Sequence, residues 1–337
     1  MSLPKLTFGY LWDFRNPERW RRPWQAFYAE TLDLIAWTET IGIHGAWIPE
    51  HHLADDGYIP TPNLILAAIA ARTQTLRMGS AVALAPLYDP VRFAQECAVL
   101  DIMSGGRIEM ALAIGYRRRE YEALGAPFGK RGKRFDEFLE IATRLLSGET
   151  VDFEGDHYRI RGAKLAPPPL RSHVPLQIGG FADKALDRVV RYGDGYFGNA
   201  EIWDRLSVKL GEQGKDPAAI FIRIPDLFTV VADDPDAAME ELAPYYQHVN
   251  NTYGAWAGED NALGMDSPGL SPMDLDAFKA SGIMAVWTPD EAISRLTALR
   301  EKAPVEHYMF MRPPGLPADR FRHYAQILAD KVVPAFA

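Results

Sequence analysis

Short apolar runs alternate with stretches of helical spacing from one end of this chain to the other, and that alternation constrains the fold more than any other feature. LTFGYLWDF reads as a strand. Trp24 to Ile41 reads as a helix, with Phe27, Leu32, Leu34, Ile35 and Ile41 near helical spacing. GAWIPEHH (45–52) is a short strand running into a loop. Pro62 opens the helix NLILAAIAART, and LRMGSAVALAP (76–86) is a continuous apolar strand. Pro90 starts VRFAQECAVLDIMS, Gly105-Gly106 breaks it, and RIEMALAIG (107–115) is strand again. Proline in a first helical turn and glycine just past an end are the expected punctuation.

The second half repeats the pattern with longer excursions. A basic, polar stretch from Tyr116 to Arg134 leads into the helix RFDEFLEIATRLLSG, and VDFEGDHYRIRG looks like a hairpin outside the main sheet. VPLQIGG (174–180) and GYFGN (195–199) are strands, each followed by a helix. AIFIRIPDLFTVVAD (219–233) is the longest strand run, followed by a helix from Pro235 to Tyr246. HYMFMR (307–312) and PADRFRHYAQILADKV close the chain. Eight strand–helix units result. Buried parallel strands read as near-continuous apolar runs, and eight such units closing on themselves make a (β/α)8 barrel of ~250 residues plus insertions. A doubly wound open sheet is the rival, but no GxGxxG follows the first strand. Two domains would suit 337 residues, yet no linker-like shift divides them, so one domain over 1–337 is expected. Residues 250–285, rich in Gly, Ser, Pro and Met, read as an irregular insertion or lid over the C-terminal face of the strands.

Composition removes several classes of function. Lys and Arg number 36 against 45 Asp and Glu, a net charge of −9 that disfavours nucleic-acid binding. The single cysteine, Cys97, excludes an internal disulfide and a cysteine-based zinc site, and it reads as a buried inert thiol. No apolar run approaches the ~20 residues of a membrane span, and MSLPKLTFGYLWDF has no signal-peptide architecture. A soluble cytoplasmic protein is the expectation.

Barrel active sites sit at the C-terminal ends of the strands, so residues following each strand are the candidates. Glu50-His51-His52 is the densest polar cluster. Adjacent residues of an extended chain face opposite ways, so the two histidines do not converge on a metal, whereas a histidine there suits proton transfer near neutral pH. Gly179-Gly180-Phe181-Ala182 lies between strand and helix, where glycine and free amides favour a phosphate or simply a tight turn. Arg117, Arg118 and Arg119 start a basic strip that is either solvated surface or a phosphate contact. Trp12, Phe14, Trp20 and Trp24 wall an apolar pocket or form a helix-to-barrel packing layer.

Together these stretches resemble the bacterial luciferase-like flavin-dependent monooxygenase family. The likeness is strongest over 44–115, in W-x-x-E-H-H, T-x-x-L-R-M-G-S-A-V, the D-P-V-R helix start and D-x-M-S-G-G-R. PLQIGGFADKAL, YGDGYFGN, TPDEAISRL and the PPGLPADRF ending also fit, so it covers roughly 1–233 and 284–336. The resemblance implies a dimeric barrel that takes reduced FMN from a separate NAD(P)H:flavin reductase. With O2 it would oxygenate a small, largely apolar organic substrate through a C4a-(hydro)peroxyflavin. It makes His51 the acid/base residue near the flavin ring. Ala81 and Val82 become the backbone under the isoalloxazine, where some relatives carry a non-proline cis peptide. Ile114, Gly179, Gly180, Phe181, Ala182 and Asn199 become flavin contacts, with 180–182 as the phosphate turn. Trp12, Phe14, Tyr116 and Trp256 are the substrate-contact candidates, and a lid with Trp256, Met265, Met273 and Met284 excludes water. Light-emitting members carry a phosphate-contacting arginine where this chain has Ile114, and a reactive cysteine where it has Ala113. Light emission is therefore not expected, and Arg117 or Arg118 is expected to supply the phosphate charge. Other relatives use the deazaflavin F420 without oxygen, and some bind flavin without catalysis; both remain alternatives.

Overall fold

A computed structural model describes residues 5–262 and 270–337. The elements follow in chain order: β1 (Thr7–Leu11), α1 (Trp24–Thr40), β2 (Gly45–Ile48), α2 (Pro62–Ala70), β3 (Arg77–Leu84), α3 (Pro90–Ser104), β4 (Ile108–Ala113) and α4 (Arg118–Ala123). Next come α5 (Arg131–Leu146), β5 (Val151–Glu154), β6 (Arg159–Ala163), β7 (Leu176–Gly179), α6 (Asp183–Tyr192), β8 (Gly195–Phe197) and α7 (Trp203–Glu212). The rest are β9 (Phe221–Asp226), β10 (Thr229–Val231), α8 (Pro235–Ala262), α9 (Leu275–Ala280), β11 (Ala285–Trp287), α10 (Pro289–Lys302), β12 (Val305–Met311) and α11 (Ala318–Lys331).

Eight of these strands close into a parallel barrel in the order β1-β12-β9-β8-β7-β4-β3-β2, as the alternation predicts. The local signals act where expected. Pro62 and Pro90 open α2 and α3, and the Asp89 carboxylate caps α3 by accepting from the Val91 and Arg92 amides at 3.0 and 2.9 Å. The hairpin β5–β6 stands outside the barrel. Among the described residues no helix is long and apolar enough to cross a membrane.

Three stretches differ from the sequence reading. The run 219–233 splits, because the Asp226 carboxylate accepts from the Phe228 and Thr229 amides at 2.9 and 3.0 Å and turns the chain. β10 then leaves the barrel and pairs with β11. The basic stretch contains the short helix α4. The third is the segment 250–262, which continues α8 instead of forming an irregular loop. Its composition is overridden by packing: Asn250 donates to the Ser271 carbonyl at 2.9 Å, and a Cβ on Gly254 would stand 2.7 Å from the Pro272 nitrogen. The returning chain therefore crosses the helix where only hydrogen projects. Met265 lies outside the described residues.

The N-terminal end of the barrel is filled by polar side chains. Arg77 binds Glu109 at 2.5 Å and Glu306 at 3.0 Å, and Arg223 binds the same two carboxylates at 2.8 and 2.9 Å. Beside them His307 is fully buried, and burial with the charges of Arg77 and Arg223 holds it well below its ordinary pKa. It is neutral. Trp47 donates its indole N–H to Nε2 at 2.8 Å, so the proton sits on Nδ1 and faces Thr7 Oγ1 at 2.7 Å. Gly9 and Gly45 leave the room, since a Cβ on either would come within 3.0 Å of the imidazole.

Glu109 is the more buried of the two anions that Arg77 and Arg223 share. Glu109→Ala leaves the buried Arg223 and the partly buried Arg77 each short of a partner and is expected to lower the unfolding free energy by about 3–5 kcal/mol. Urea unfolding followed by circular dichroism measures it; a loss below 1 kcal/mol would refute this account of the floor.

Candidate active site

At the opposite end, β2 runs into Glu50, His51 and His52. The neighbours face apart, as extended backbone requires. Glu50 is buried: Oε2 accepts from the Leu84 amide and the Tyr88 hydroxyl, both at 2.9 Å, and Oε1 lies 2.9 Å from His52 Nε2. This pair ties the end of β2 to the end of β3 and takes His52 out of the mouth.

His51 turns to α4. Its Nδ1 lies 2.9 Å from Glu120 Oε1, which also accepts from the His52 amide at 3.0 Å and from Arg117 Nη1 at 3.2 Å. Glu120 is fully buried. Burial alone would raise its carboxyl, but the bonds from His51 and His52 and the Arg117 charge outweigh that and hold it below its ordinary 4.5. An ionised carboxylate only accepts, so His51 Nδ1 carries a proton and Nε2 is the nitrogen left for proton exchange. Four aromatic rings surround the imidazole: Tyr58 and Trp256 at 4.8 Å, Tyr116 at 5.7 Å and Tyr253 at 5.8 Å. The Tyr58 and Tyr253 hydroxyls meet at 3.0 Å, and the Arg117 guanidinium stacks 3.9 Å above Trp256. Trp256 and Tyr253, three residues apart, thus project from one face of α8 over the mouth.

Smaller residues end the neighbouring strands. The Ala81–Val82 peptide is cis, and the β3–β4 register shifts between Ser80 and Ala83. A Cβ on Gly179 would lie 3.6 Å from Val82, 3.8 Å from Ala113 and 3.1 Å from the Phe197 carbonyl, so the ends of β3, β4, β7 and β8 meet there. Ala81, Val82, Ala113 and Ile114 are partly exposed. Gly180 follows in the left-handed region (φ +127°), Phe181 is exposed, and the Ala182 carbonyl begins α6 by accepting from Ala185 at 2.8 Å. Asn199 is exposed on the adjacent loop after β8.

The expected residues therefore gather in two neighbouring groups: His51 with Tyr116 and Trp256, and Ala81, Val82, Ile114 and Gly179 to Ala182 with Asn199. Trp12 and Phe14 join neither group. Trp12 packs on Phe321 of α11 at 5.0 Å and Phe14 on Tyr28 of α1 at 5.0 Å, each 1% exposed, so the aromatics of the first strand form the packing layer. The loop after β1 reaches the site through Arg15, whose guanidinium lies 4.9 Å from the Tyr58 ring. Arg117 is not free for a phosphate, being buried between Glu120 and Trp256. Arg118 lies over Phe128, 3.9 Å from Glu122. Sequence reading missed Glu120, Tyr58 and Tyr253. A helical reading of 250–262 would have put Tyr253 beside Trp256; Glu120 left no local signal. Among the described residues no group of three or more His, Cys, Asp or Glu is placed to hold a metal.

Comparison with known proteins sets this geometry in context. A family profile described as luciferase-like monooxygenase matches residues 7–307. The oxygenase component of the flavin-dependent trigonelline monooxygenase of Acinetobacter baylyi is 25% identical over 338 aligned positions, covering 92% of this chain and 90% of that protein. Among solved structures, the monooxygenase RslO1 from Streptomyces bottropensis superposes with a TM-score of 0.78 at 20% identity, over 98% of this chain and 100% of that one. An F420-dependent secondary alcohol dehydrogenase does so at 0.75 and 20%, over the whole of both. These two likenesses speak for the fold alone.

Glu120 holds three donors, so Glu120→Ala is expected to cost about 3–5 kcal/mol of stability. Glu120→Gln costs less, because its amide oxygen still accepts. The stabilisation from the lowered carboxyl is present above its ordinary 4.5 and is lost as pH falls through the lower folded value. Denaturant unfolding from neutral to acid pH should show that acid-sensitive component in the wild type and not in Glu120→Gln; equal profiles would refute it.

Proposed function

The chain belongs to the luciferase-like monooxygenase family, and from that premise we propose that it is the oxygenase half of a two-component system working with FMN and O2. The observation carrying this reading is the buried His51–Glu120 pair under an aromatic ring of residues, beside an end of the barrel where the strand termini carry little side chain. These residues fit a flavin. No Cβ projects from Gly179 towards Val82, Ala113 and the Phe197 carbonyl, and the buried Tyr196 hydroxyl beside Gly198 has no hydrogen-bond partner among the described residues.

Ala81, Val82, Ile114 and Gly179 would hold the ring, and Gly180, Phe181, Ala182 and Asn199 the ribityl phosphate. Reduced FMN, delivered by a separate NAD(P)H:flavin reductase, supplies when bound the two electrons that activate O2 for insertion of one oxygen atom into an organic substrate. His51 exchanges a proton at Nε2 while Glu120 fixes the opposite nitrogen. Tyr116 and Trp256 face the substrate, and with Tyr58 and Tyr253 they make the wall apolar enough to select a small, largely apolar molecule and to keep water out. The stretch 250–285 acts as the lid: its helical part is fastened by the Tyr58–Tyr253 hydroxyl contact and by Trp256 under Arg117.

The functional unit is a homodimer. Helices α2 and α3 turn Leu64, Val99, Ile102 and Met103 to solvent, between 42 and 70% exposed. Leu64, Val99 and Met103 lie along a groove of about 810 Å³ that Ala67, Leu100 and Leu124 also line, with Arg92 and Glu96 among its polar residues. An exposed apolar stretch of that kind marks an interface, and a second copy buries it.

His51→Ala is expected to cut substrate-dependent O2 uptake by ~10²–10⁴-fold with FMN binding retained. The measurement supplies chemically reduced FMN to a panel of small apolar compounds. An unchanged rate removes His51 from its role, and anaerobic turnover with reduced F420 replaces the oxygenase reading with hydride transfer. In sedimentation velocity the wild type should run as a dimer and Val99→Glu with Met103→Glu as a monomer; a monomeric wild type rejects the interface.

A further inference from the structure

The loops after β7 and β8 leave the barrel side by side, since Gly179 and Phe197 are register partners. The first turns through Gly180 to Ala182 into α6, and the second through Gly198 and Asn199 towards α7. Helix α7 carries Arg205 across the gap. Its Nη1 donates to the Phe181 carbonyl at 3.2 Å, and its Nη2 pairs with Asp183 in the first turn of α6. The guanidinium is thus fastened to the turn itself, 24 residues away in sequence.

Tyr196 of β8 lies close by. Its side chain is wholly buried, its hydroxyl has no partner among the described residues, and a Cβ on Gly198 would stand 2.4 Å from that oxygen. Burial pushes the hydroxyl up to about 12 against the nearby Arg205 charge, so at neutral pH it is an O–H donor, with no acceptor among the described residues. A guanidinium, an orphan hydroxyl donor and the free amides at the start of α6 therefore face one region. An oxyanion with several acceptor oxygens is the ligand that satisfies all three. The Asp183 carboxylate already answers Arg205, but that pair is exposed, at 50 and 69%. Exposed pairs contribute little, so a dianion can take the arginine over.

We propose that Arg205, with the Tyr196 hydroxyl, selects the phosphorylated flavin over the unphosphorylated one. The assignment rests on the flavin reading above. Of the arginines the sequence offered for this task, Arg117 is buried against Glu120 and Trp256, and Arg118 lies over Phe128.

The test titrates oxidised FMN and riboflavin separately into wild type, Arg205→Gln, Arg205→Lys and Tyr196→Phe, reading flavin fluorescence. The wild type should prefer FMN. Arg205→Gln should lose on the order of 10- to 100-fold in FMN affinity with riboflavin affinity unchanged. Arg205→Lys should keep part of the preference, and Tyr196→Phe should lose less than Arg205→Gln in the same direction. Circular dichroism confirms that each variant is folded. If Arg205→Gln keeps the wild-type ratio of FMN to riboflavin affinity, the assignment is overturned, and so it is if the wild type binds both equally. A wild type that binds neither flavin removes the reading on which the assignment rests.

Discussion

One buried carboxylate organises the C-terminal end of this barrel. Glu120 receives the His51 ring, the His52 amide and Arg117 on a single oxygen, and it does so fully out of water. An uncompensated charge there would be prohibitive, so the three donors must be present together. That requirement sets the conformation of the loop after β2, the docking of α4 and the direction of Arg117. Arg117 in turn receives Trp256, and so the far end of α8 is positioned by the same carboxylate. The tautomer of His51 follows from the charge of its partner.

The two ends of the barrel use polar residues differently. At the N-terminal end Arg77, Arg223, Glu109 and Glu306 close on one another, and His307 spends both nitrogens on Trp47 and Thr7. That layer turns most of its polar atoms on itself. At the C-terminal end capacity remains: one nitrogen of His51, the hydroxyl of Tyr196, the amides that open α6. The contrast agrees with a barrel in which one end carries stability and the other chemistry.

Much of the fold is legible because its signals are local. Pro62 and Pro90 at helix starts, Gly105 at a helix end and the apolar runs of β2, β3, β4 and β7 each report their own conformation within a few residues. The misreadings have a physical pattern. Trp12 and Phe14 are aromatic at a strand end, a composition that serves a pocket wall and a packing layer equally, and only the presence of Phe321 and Tyr28 decides between them. Residues 250–262 look irregular because Gly254 and Asn250 answer to the chain crossing at 271–272, not to helix propensity.

The amino-acid order by itself determined the eight-fold alternation, the barrel and the position of His51 at a strand end, since burial periodicity and helix punctuation are properties of short segments. Which side chains meet there was decided by closure of the barrel. Glu120 lies 69 positions from His51, and Tyr253 lies 195 from Tyr58. Contacts that distant exist only after every strand between them has taken its register, so nothing in the neighbourhood of either residue announces the other.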